Sequence, residues 1–390
     1  MRLKELSLPI AGFITAMVLL SSLSSFMMFI PFFSHVLKLN SNEIIYLGTI
    51  FYFSGMPLGK ILGRFLKFHK NTTYSTFGII FLISLTLYLM PYINSIYELI
   101  AFRLIQGMAT ILNDIFSISY SYIFDDRSRV LANTLSISGV PSGVALGSSL
   151  SFLSGMNIYM VFTILGTVSL LISLPFIFLI NSKKYNLEEL RKDKTGTTIK
   201  KPVTWIMGIM WMSIAGFNLI LASIIPAYLS IYDPMDIGIT MSIFGIWGAI
   251  TTIFGGLIAY FLYGGKLKQR SLFLVSIVGY ALSIPGFIIF SSYPKGSLLY
   301  LSVFLIMMEG FVISIIFSLP RLIYKEGYVA KGTWEFSMIG STGHIIAPLV
   351  LLPFAYAYGY GTAIFLIIIF PIYGILASIY LSKYLEKNRK

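Results

Sequence analysis

The sequence contains no cysteine among its 390 residues. Disulfide bridges, thiol catalysis and thiolate metal sites are therefore excluded. Its three histidines, His35, His69 and His344, are too far apart in sequence for the usual spacing of metal ligands. We find no nucleophile–base pair and no metal cluster that would indicate an enzyme, and we expect neither a metal nor a cofactor.

Charged residues are also scarce, at 11%, whereas hydrophobic residues make up 57%. A soluble domain carries roughly 25% charged residues. This composition excludes an ordinary soluble enzyme, because a water-facing fold cannot hide so much apolar surface. It excludes a disordered chain for the same reason. The composition therefore indicates a polytopic protein embedded in the lipid bilayer.

Twelve apolar stretches are long enough to cross the roughly 30 Å hydrocarbon core of a bilayer as helices. They are 8–30, 43–63, 72–93, 97–123, 130–152, 157–180, 203–228, 237–262, 271–291, 297–320, 333–356 and 360–382. Helices are required because an open sheet in lipid leaves backbone groups without hydrogen bonds. We predict an all-α membrane protein with twelve transmembrane helices, called spans 1 to 12.

The longest polar stretch separates six spans from six. We predict an N-terminal six-helix bundle at 1–182, a cytoplasmic linker at 183–202 and a C-terminal six-helix bundle at 203–390. Arg103 in span 4 and Glu309 in span 10 are 206 residues apart (309 − 103), close to the offset between the halves. Duplicated, pseudo-symmetric halves are typical of secondary transporters.

Positive charges fall mainly on one side of the predicted spans. When the N-terminus is placed inside, the exceptions are Lys38 and Lys295 on the outer side and Arg103 within a span. The positive-inside rule then predicts that both termini are cytoplasmic. The net charge of +13 sets the orientation and requires no nucleic-acid partner. We expect a multi-pass protein of the cell membrane.

Span 4 carries Arg103, Gln106 and Gly107 in the order R-x-x-Q-G, which resembles the signature of the fourth helix in the major facilitator superfamily. Residues 139–147 are similar to a partial Gly-Pro motif of the family's fifth helix, which is associated with antiporters. Here Val140 separates the Gly from the Pro and the final Gly pair is missing, which weakens the case for antiport. The resemblance implies a monomeric twelve-helix transporter that works by alternating access.

The connection between spans 2 and 3, residues 57–67, is similar to the family's G-x-x-x-D-R-x-G-R-R motif. Gly63 occupies the position of the acidic residue, so the ionic lock that the family builds at the inner gate lacks its acid. Glu335 lies at the inner start of span 11, which should abut span 2. We hypothesise that Glu335 pairs with Lys60 or Arg64 and forms the gate instead.

Span 4 also carries a polar stripe. Charges at bilayer depth cost about 2.5 kcal/mol or more, so they face a cavity or a partner. The polar residues fall within an arc of roughly 100° on a helical wheel, and they are Arg103, Gln106, Thr110, Asn113, Asp114, Ser117 and Ser121. Arg103 and Asp114 cannot pair, because about 16 Å of helix separates them. Arg103 is a cavity contact or binds helix-end carbonyls, and Asp114 is a candidate proton site or cation ligand.

In the family, helices 1, 4, 7 and 10 line the central cavity. The resemblance therefore makes Glu309 the leading candidate for proton coupling, and the alternative is a protonated acid that bonds a neighbouring helix. Asn218 in span 7 and Ser21 and Ser25 in span 1 are candidate cavity contacts, although membrane serines more often serve in packing. We expect His344 to be a hydrogen-bonded packing residue.

Two stripes of small residues predict close helix packing. They are Gly55, Gly59 and Gly63 in span 2, and Gly139, Gly143 and Gly147 with Pro141 in span 5. In the family, helices 2 and 5 meet helices 11 and 8 of the other half, so the stripes are interpreted as sliding contacts between the halves. The alternative is static packing within one half.

These features predict a secondary active transporter for a small organic solute or drug. Proton coupling is favoured, because acids lie within the membrane and no phosphate-binding loop is present to use ATP. The alternatives are an uncoupled facilitative carrier and a non-transporting membrane sensor or scaffold. The expected partners are a small-molecule substrate, protons and the lipid bilayer, with symport or antiport left open.

Overall fold

A computed structural model describes the chain over residues 6–153, 157–180, 196–219, 223–225, 237–264, 269–292, 295–325 and 327–387. Every regular element in these residues is helical, which confirms the predicted all-α class. Within these residues, ten helices are long and apolar enough to cross a bilayer, and Ser297–Ile313 is a shorter apolar helix. With the described part of span 7, these are the twelve predicted membrane helices.

The helices follow the predicted order. Spans 1 to 6 are Ser7–Met28, Ser41–Phe65, Thr72–Leu89, Ile96–Ile123, Asp126–Ile137 with Gly139–Leu153, and Ile158–Ile180. Spans 7 to 12 are Pro202–Met212 with Ala215–Leu219, Ile237–Tyr263, Arg270–Ser291, Ser297–Ile306 with Gly310–Ile316, Val329–Tyr358, and Tyr360–Ile367 with Ile369–Lys387. The end of span 7 and most of the predicted linker lie outside the described residues.

Span 5 begins four residues before its predicted start at 130, because Asp125 caps it. The Asp125 carboxylate accepts hydrogen bonds from the backbone N–H groups of Arg127 at 3.0 Å and Ser128 at 2.9 Å, an N-cap arrangement. Partial burial disfavours the charged form, but the hydrogen bonds from Ser128 and Arg127 outweigh it and hold the pKa of Asp125 below its ordinary value of 3.8.

The connections between spans alternate between two sides of the bundle. One side, called the basic side, holds the connections 66–71, 124–125 and 196–201, and the described residues between spans 10 and 11, 324–325 and 327–328. The opposite side holds 38–40, 93–95, 295–296 and residue 359. Gly359, with φ of 90°, separates spans 11 and 12 at the predicted break, since a left-handed backbone suits glycine.

The two halves meet chiefly along spans 2, 5, 8 and 11. Span 2 packs against span 11, and span 5 packs against span 8. We call this inter-half contact the seam. Spans 4 and 10 are each interrupted by one 3₁₀ turn, Met108–Thr110 and Met307–Glu309. The turns are 199 residues apart (307 − 108), similar to the 206 residues between Arg103 and Glu309. A 3₁₀ turn inside a helix often marks a hinge or a functional position.

Candidate functional site

A buried ion pair joins spans 2 and 4 close to the seam. Lys60 and Asp114 form this pair, and neither side chain is exposed. The Lys60 ammonium also donates to the carbonyl oxygen of Thr110 at 2.5 Å, within the 3₁₀ turn of span 4. The helix that carries Asp114, Ile111–Ile123, packs against span 11. The pair therefore belongs to the first half but touches the second.

The basic end of the seam is held by the carboxylate of Glu335. Arg64 donates from Nε and Nη2 to Oε1 at 3.1 and 2.6 Å. Thr197 donates to Oε1 at 2.5 Å, and the backbone N–H and hydroxyl of Thr198 each donate to Oε2 at 2.6 Å. Span 2 and the segment that enters span 7 therefore converge on one buried acid. Lys60, the other predicted partner of Glu335, is engaged elsewhere.

Further hydrogen bonds join the two halves near the basic side. The Ser117 hydroxyl donates to the carbonyl oxygen of Phe317 at 2.6 Å, and Asn133 Nδ2 donates to the same oxygen at 3.2 Å. Trp334 Nε1 donates to His69 Nδ1 at 3.2 Å. Sequence reasoning assigned no role to Asn133, although a buried amide in an apolar span was a usable signal. The halves are thus joined here by several polar contacts.

Arg103 lies fully buried inside the first half. It donates to the carbonyl oxygens of Gly48 at 3.0 Å and Ser22 at 3.2 Å, and to Gln106 Oε1 at 2.7 Å. Its guanidinium also lies over the rings of Phe26 and Tyr52, at 4.2 and 4.6 Å from their centres. This arrangement corresponds to the packing alternative, in which Arg103 binds backbone carbonyls. Arg103 and Asp114 have separate partners.

Glu309 is fully buried within the second half. Its Oε1 accepts a hydrogen bond from Ser283 of span 9 at 3.2 Å. The other oxygen, Oε2, has no hydrogen-bond partner among the described residues. This contact corresponds to the alternative in which Glu309 bonds a neighbouring helix of its own half, at the 3₁₀ turn of span 10, and its role in proton coupling stays a prediction. Arg103, Asp114 and Glu309 occupy three different sites.

Asn218 and His344 come together between spans 7 and 11. Asn218 Nδ2 donates to His344 Nε2 at 2.7 Å. The imidazole ring lies 5.4 Å from the ring of Trp211 in span 7 and 5.9 Å from that of Phe53 in span 2. Trp211 in turn contacts Phe317 at 5.1 Å. The polar pair belongs to the second half, and the contact of its imidazole ring with Phe53 reaches the first half.

The predicted contacts on span 1 bond their own helix. The Ser21 hydroxyl donates to the carbonyl oxygen of Val18 at 2.5 Å, and Ser25 donates to that of Ser21 at 2.9 Å. Asn113 is buried on span 4. The serines therefore satisfy their polar groups locally, as hydroxyls in membrane helices commonly do.

Most of the glycine stripes pack within the first half. A Cβ at Gly55 or Gly59 would meet span 4, and a Cβ at Gly139, Gly143 or Gly147 would meet the backbone of span 1. The interpretation of both stripes as sliding contacts between the halves is corrected accordingly.

The close contacts across the seam involve other small residues. Gly63 faces the Trp334 ring of span 11, and Pro141 faces Gly245 and Gly248 of span 8. The sequence analysis did not identify the span 8 glycines. The tertiary fold decides which face of a helix contacts its neighbour, and the sequence does not show this.

Among the described residues, no group of three or more His, Asp or Glu side chains could hold a metal ion. The buried polar groups described above form hydrogen bonds and ion pairs.

The sequence matches the profile of the Major Facilitator Superfamily over residues 12–348. The fold is similar to that of the proton:xylose symporter XylE bound to 6-bromo-6-deoxy-D-glucose, with a TM-score of 0.76, 10% identity, and coverage of 97% of this chain and 95% of that chain. It is also similar to that of the human organic anion transporter MFSD10 (TETRAN), with a TM-score of 0.72, 11% identity, and coverage of 95% and 99%.

A comparison with curated protein sequences gave no match. Identities near 10% show a shared fold, whereas the profile covers most of the chain. From the sequence match and the shared twelve-helix fold together, we conclude that the chain belongs to the major facilitator superfamily of membrane transporters.

Proposed function

We propose that this protein is a secondary active transporter that moves a small organic solute or drug by alternating access, coupled to protons. The observation that carries the proposal is the buried Lys60–Asp114 pair, which touches span 11 beside the seam. An ion pair at this position links the protonation of one carboxyl group to the contact between the halves. We place the monomer in the cell membrane with both termini cytoplasmic, as the positive charges indicate.

The moving bodies in this proposal are the two six-helix bundles, 1–182 and 203–390, joined by the linker 183–202. The contact of Arg64 with Glu335 and the bonds to Phe317 hold the basic side closed. All of them are hydrogen bonds or ion pairs, so they can be exchanged for water when the halves rock apart. Gly63, next to Arg64, permits the close approach of span 11.

Asp114 is the first of two proton-binding candidates. When Asp114 is ionised it neutralises Lys60, and when it is protonated the ammonium loses its counter-ion. Breaking one side of a buried pair costs about 3–5 kcal/mol, which is enough to change the balance between two conformations. The protonated carboxyl also becomes a hydrogen-bond donor in a helix that packs against span 11.

Glu309 is the second candidate. An ionised carboxylate without a paired cation is costly in an apolar interior, and Oε2 has no hydrogen-bond partner among the described residues. The acid is therefore held in its neutral form here and would release its proton only if spans 9 and 10 move apart. The competing role for Glu309 is a packing acid bonded to Ser283.

The solute contacts in this proposal come from the aromatic cluster around Asn218 and His344. Phe53 belongs to one half, whereas Trp211 and His344 belong to the other. Aromatic rings with a few hydrogen-bonding groups favour a neutral or amphiphilic molecule. In this proposal, residues of both halves contact the solute until the two halves rock apart.

The test is solute flux in proteoliposomes. A thermal-shift screen of the purified protein against metabolite and drug panels selects the solute, and flux is then measured with and without a pH gradient. Asp114→Asn and Glu309→Gln are compared with Glu386→Gln, an exposed acid that pairs with Arg270. We expect the gradient to drive accumulation in the control and in the wild type, and at least one buried-acid variant to lose accumulation while it retains exchange.

Two outcomes would contradict the proposal. An uncoupled facilitative carrier keeps the same flux with or without the gradient, and both buried-acid variants behave like the wild type. A sensor or scaffold shows no flux of any solute that binds, and large substitutions in the aromatic cluster leave its behaviour unchanged.

A further inference from the structure

A small-molecule-sized cavity opens on the opposite side of the protein, far from the Arg64–Glu335 contact. Its volume is about 500 Å³, and its walls are the start of span 2 and the end of span 11. Ligand sites in proteins usually measure roughly 300–1,000 Å³. The hydroxyl of Tyr356 donates to the carbonyl oxygen of Asn42 across this cavity at 3.3 Å. A molecule bound here would touch both halves.

One carboxylate sets the charge of the cavity. Glu43 lines it, and none of the other described residues that line it is charged. Oε2 of Glu43 accepts a hydrogen bond from the backbone N–H of Asn40 at 2.8 Å, as part of a capping box at the start of span 2. The positive end of a helix dipole amounts to about half a unit charge, so the full charge of Glu43 exceeds it. The cavity is therefore electronegative.

Tyrosine rings form the apolar part of the wall. Tyr46 and Tyr356 both line the cavity. Tyr360 supports the wall, because its ring meets that of Tyr356 edge to face at 6.2 Å. Aromatic faces attract cations, and this attraction is strongest for organic ammonium ions that shed little water.

We propose that this cavity is a binding site for a small organic ammonium ion. The cation lies between the rings of Tyr46 and Tyr356 and is neutralised by Glu43, whose Oε1 has no partner among the described residues. Asn42 supplies polar groups at the rim. This proposal does not depend on the proposed transport cycle. The cavity lies at the end of the seam opposite the Arg64–Glu335 contact, and its lining residues alone carry the proposal.

The probe is tetraethylammonium, and its binding to the full-length protein in nanodiscs is measured by saturation-transfer NMR and by calorimetry. Glu43→Gln keeps the capping box, because glutamine serves at this position as well as glutamate does. We expect this variant to bind the probe about tenfold more weakly, from the loss of one partly screened ion pair with the ligand. Tyr356→Phe should bind within about twofold of the wild type, and Tyr356→Leu should lose most of the affinity.

The matched control is Glu98→Gln. Glu98 holds the same capping-box position at the start of span 4, on the same side of the membrane, but outside the cavity. The Glu98→Gln variant should leave the affinity for tetraethylammonium unchanged. The proposal is overturned if Glu43→Gln and Glu98→Gln weaken binding equally, because that result indicates a general surface charge. It is also overturned if glucose, an uncharged polyol of similar size, displaces the probe or binds as tightly.

Discussion

At the scale of single residues, the membrane interior holds its charges in pairs or in cages of polar groups. Lys60 meets Asp114, and Arg103 is surrounded by carbonyl oxygens and aromatic rings. Hydropathy isolated Arg103, Asp114 and Glu309 in the sequence, because a charge within twenty apolar residues is conspicuous. The sequence does not show which residues contact them. Lys60 lies near the basic end of span 2 and was predicted to pair with Glu335 at the inner gate.

Removing either member of the Lys60–Asp114 pair should destabilise the protein more than removing both. Asp114→Leu and Lys60→Met each leave one uncompensated buried charge, at a cost of about 3–5 kcal/mol, whereas the double variant places apolar groups in that space. Thermal unfolding of the purified variants in detergent measures the loss of stability in each. A double variant whose loss equals the sum of the single losses would show that the two side chains do not interact.

At the scale of helices, the twelve spans were predictable because the bilayer thickness fixes their length. The ends of the helices were less predictable than the helices themselves. The charged first turn of span 5 looks like a loop in the sequence, whereas the hydrogen bonds to Asp125 show that a helix begins there. The sequence also could not show which helices pack against the glycine stripes. A stripe predicts that another helix comes close, but it does not identify that helix.

Asp125→Ala should reduce stability by about 1 kcal/mol at neutral pH, the usual contribution of an N-cap. The folded-state pKa of Asp125 is depressed below 3.8, so the charge-dependent part of this contribution is present above that value. It is lost as the pH falls through the lower folded-state pKa. The measurement is the difference in melting temperature between the variant and the wild type across pH 3–7. A difference that grows towards acid pH would refute this account.

Gly143→Ala should be costly, whereas Gly78→Ala should not. A Cβ at Gly143 would meet the backbone of span 1 at Met17, which cannot move aside cheaply, and nothing lies within 4 Å of the same atom at Gly78. We expect a loss of about 1–3 kcal/mol at Gly143 from overpacking. At Gly78 we expect a gain of up to about 1 kcal/mol from helix propensity. Equal melting temperatures for the two variants would mean that span 1 and span 5 are not in close contact.

At the scale of the whole molecule, the Arg64–Glu335 contact should control how often the basic side opens. Glu335→Gln removes the charge that Arg64 meets, and a hydrogen bond between charged groups contributes about 1.5–3 kcal/mol. The chain has no native cysteine, so Thr134→Cys, which faces Gly256 across the seam, is a reporter without background. Its labelling by a water-soluble thiol reagent should rise about tenfold.

The control for this measurement is Arg270→Gln. Arg270 pairs with Glu386 at 2.8 Å, also on the basic side, but both residues belong to the second half. Its loss should leave the labelling of Thr134→Cys unchanged. If both variants raise labelling equally, the effect is a general loosening of the helices and the Arg64–Glu335 contact has no particular role.

The buried Lys60–Asp114 pair also has a consequence for the response to membrane voltage. As an ion pair it carries no net charge, so rocking of the first half moves none of its charge through the electric field. Protonation of Asp114 leaves Lys60 as a net positive charge. A full charge crossing 100 mV is worth about 2.3 kcal/mol, and a partial displacement is worth a corresponding fraction. In the proposed cycle, voltage therefore acts on this site only while the proton is bound.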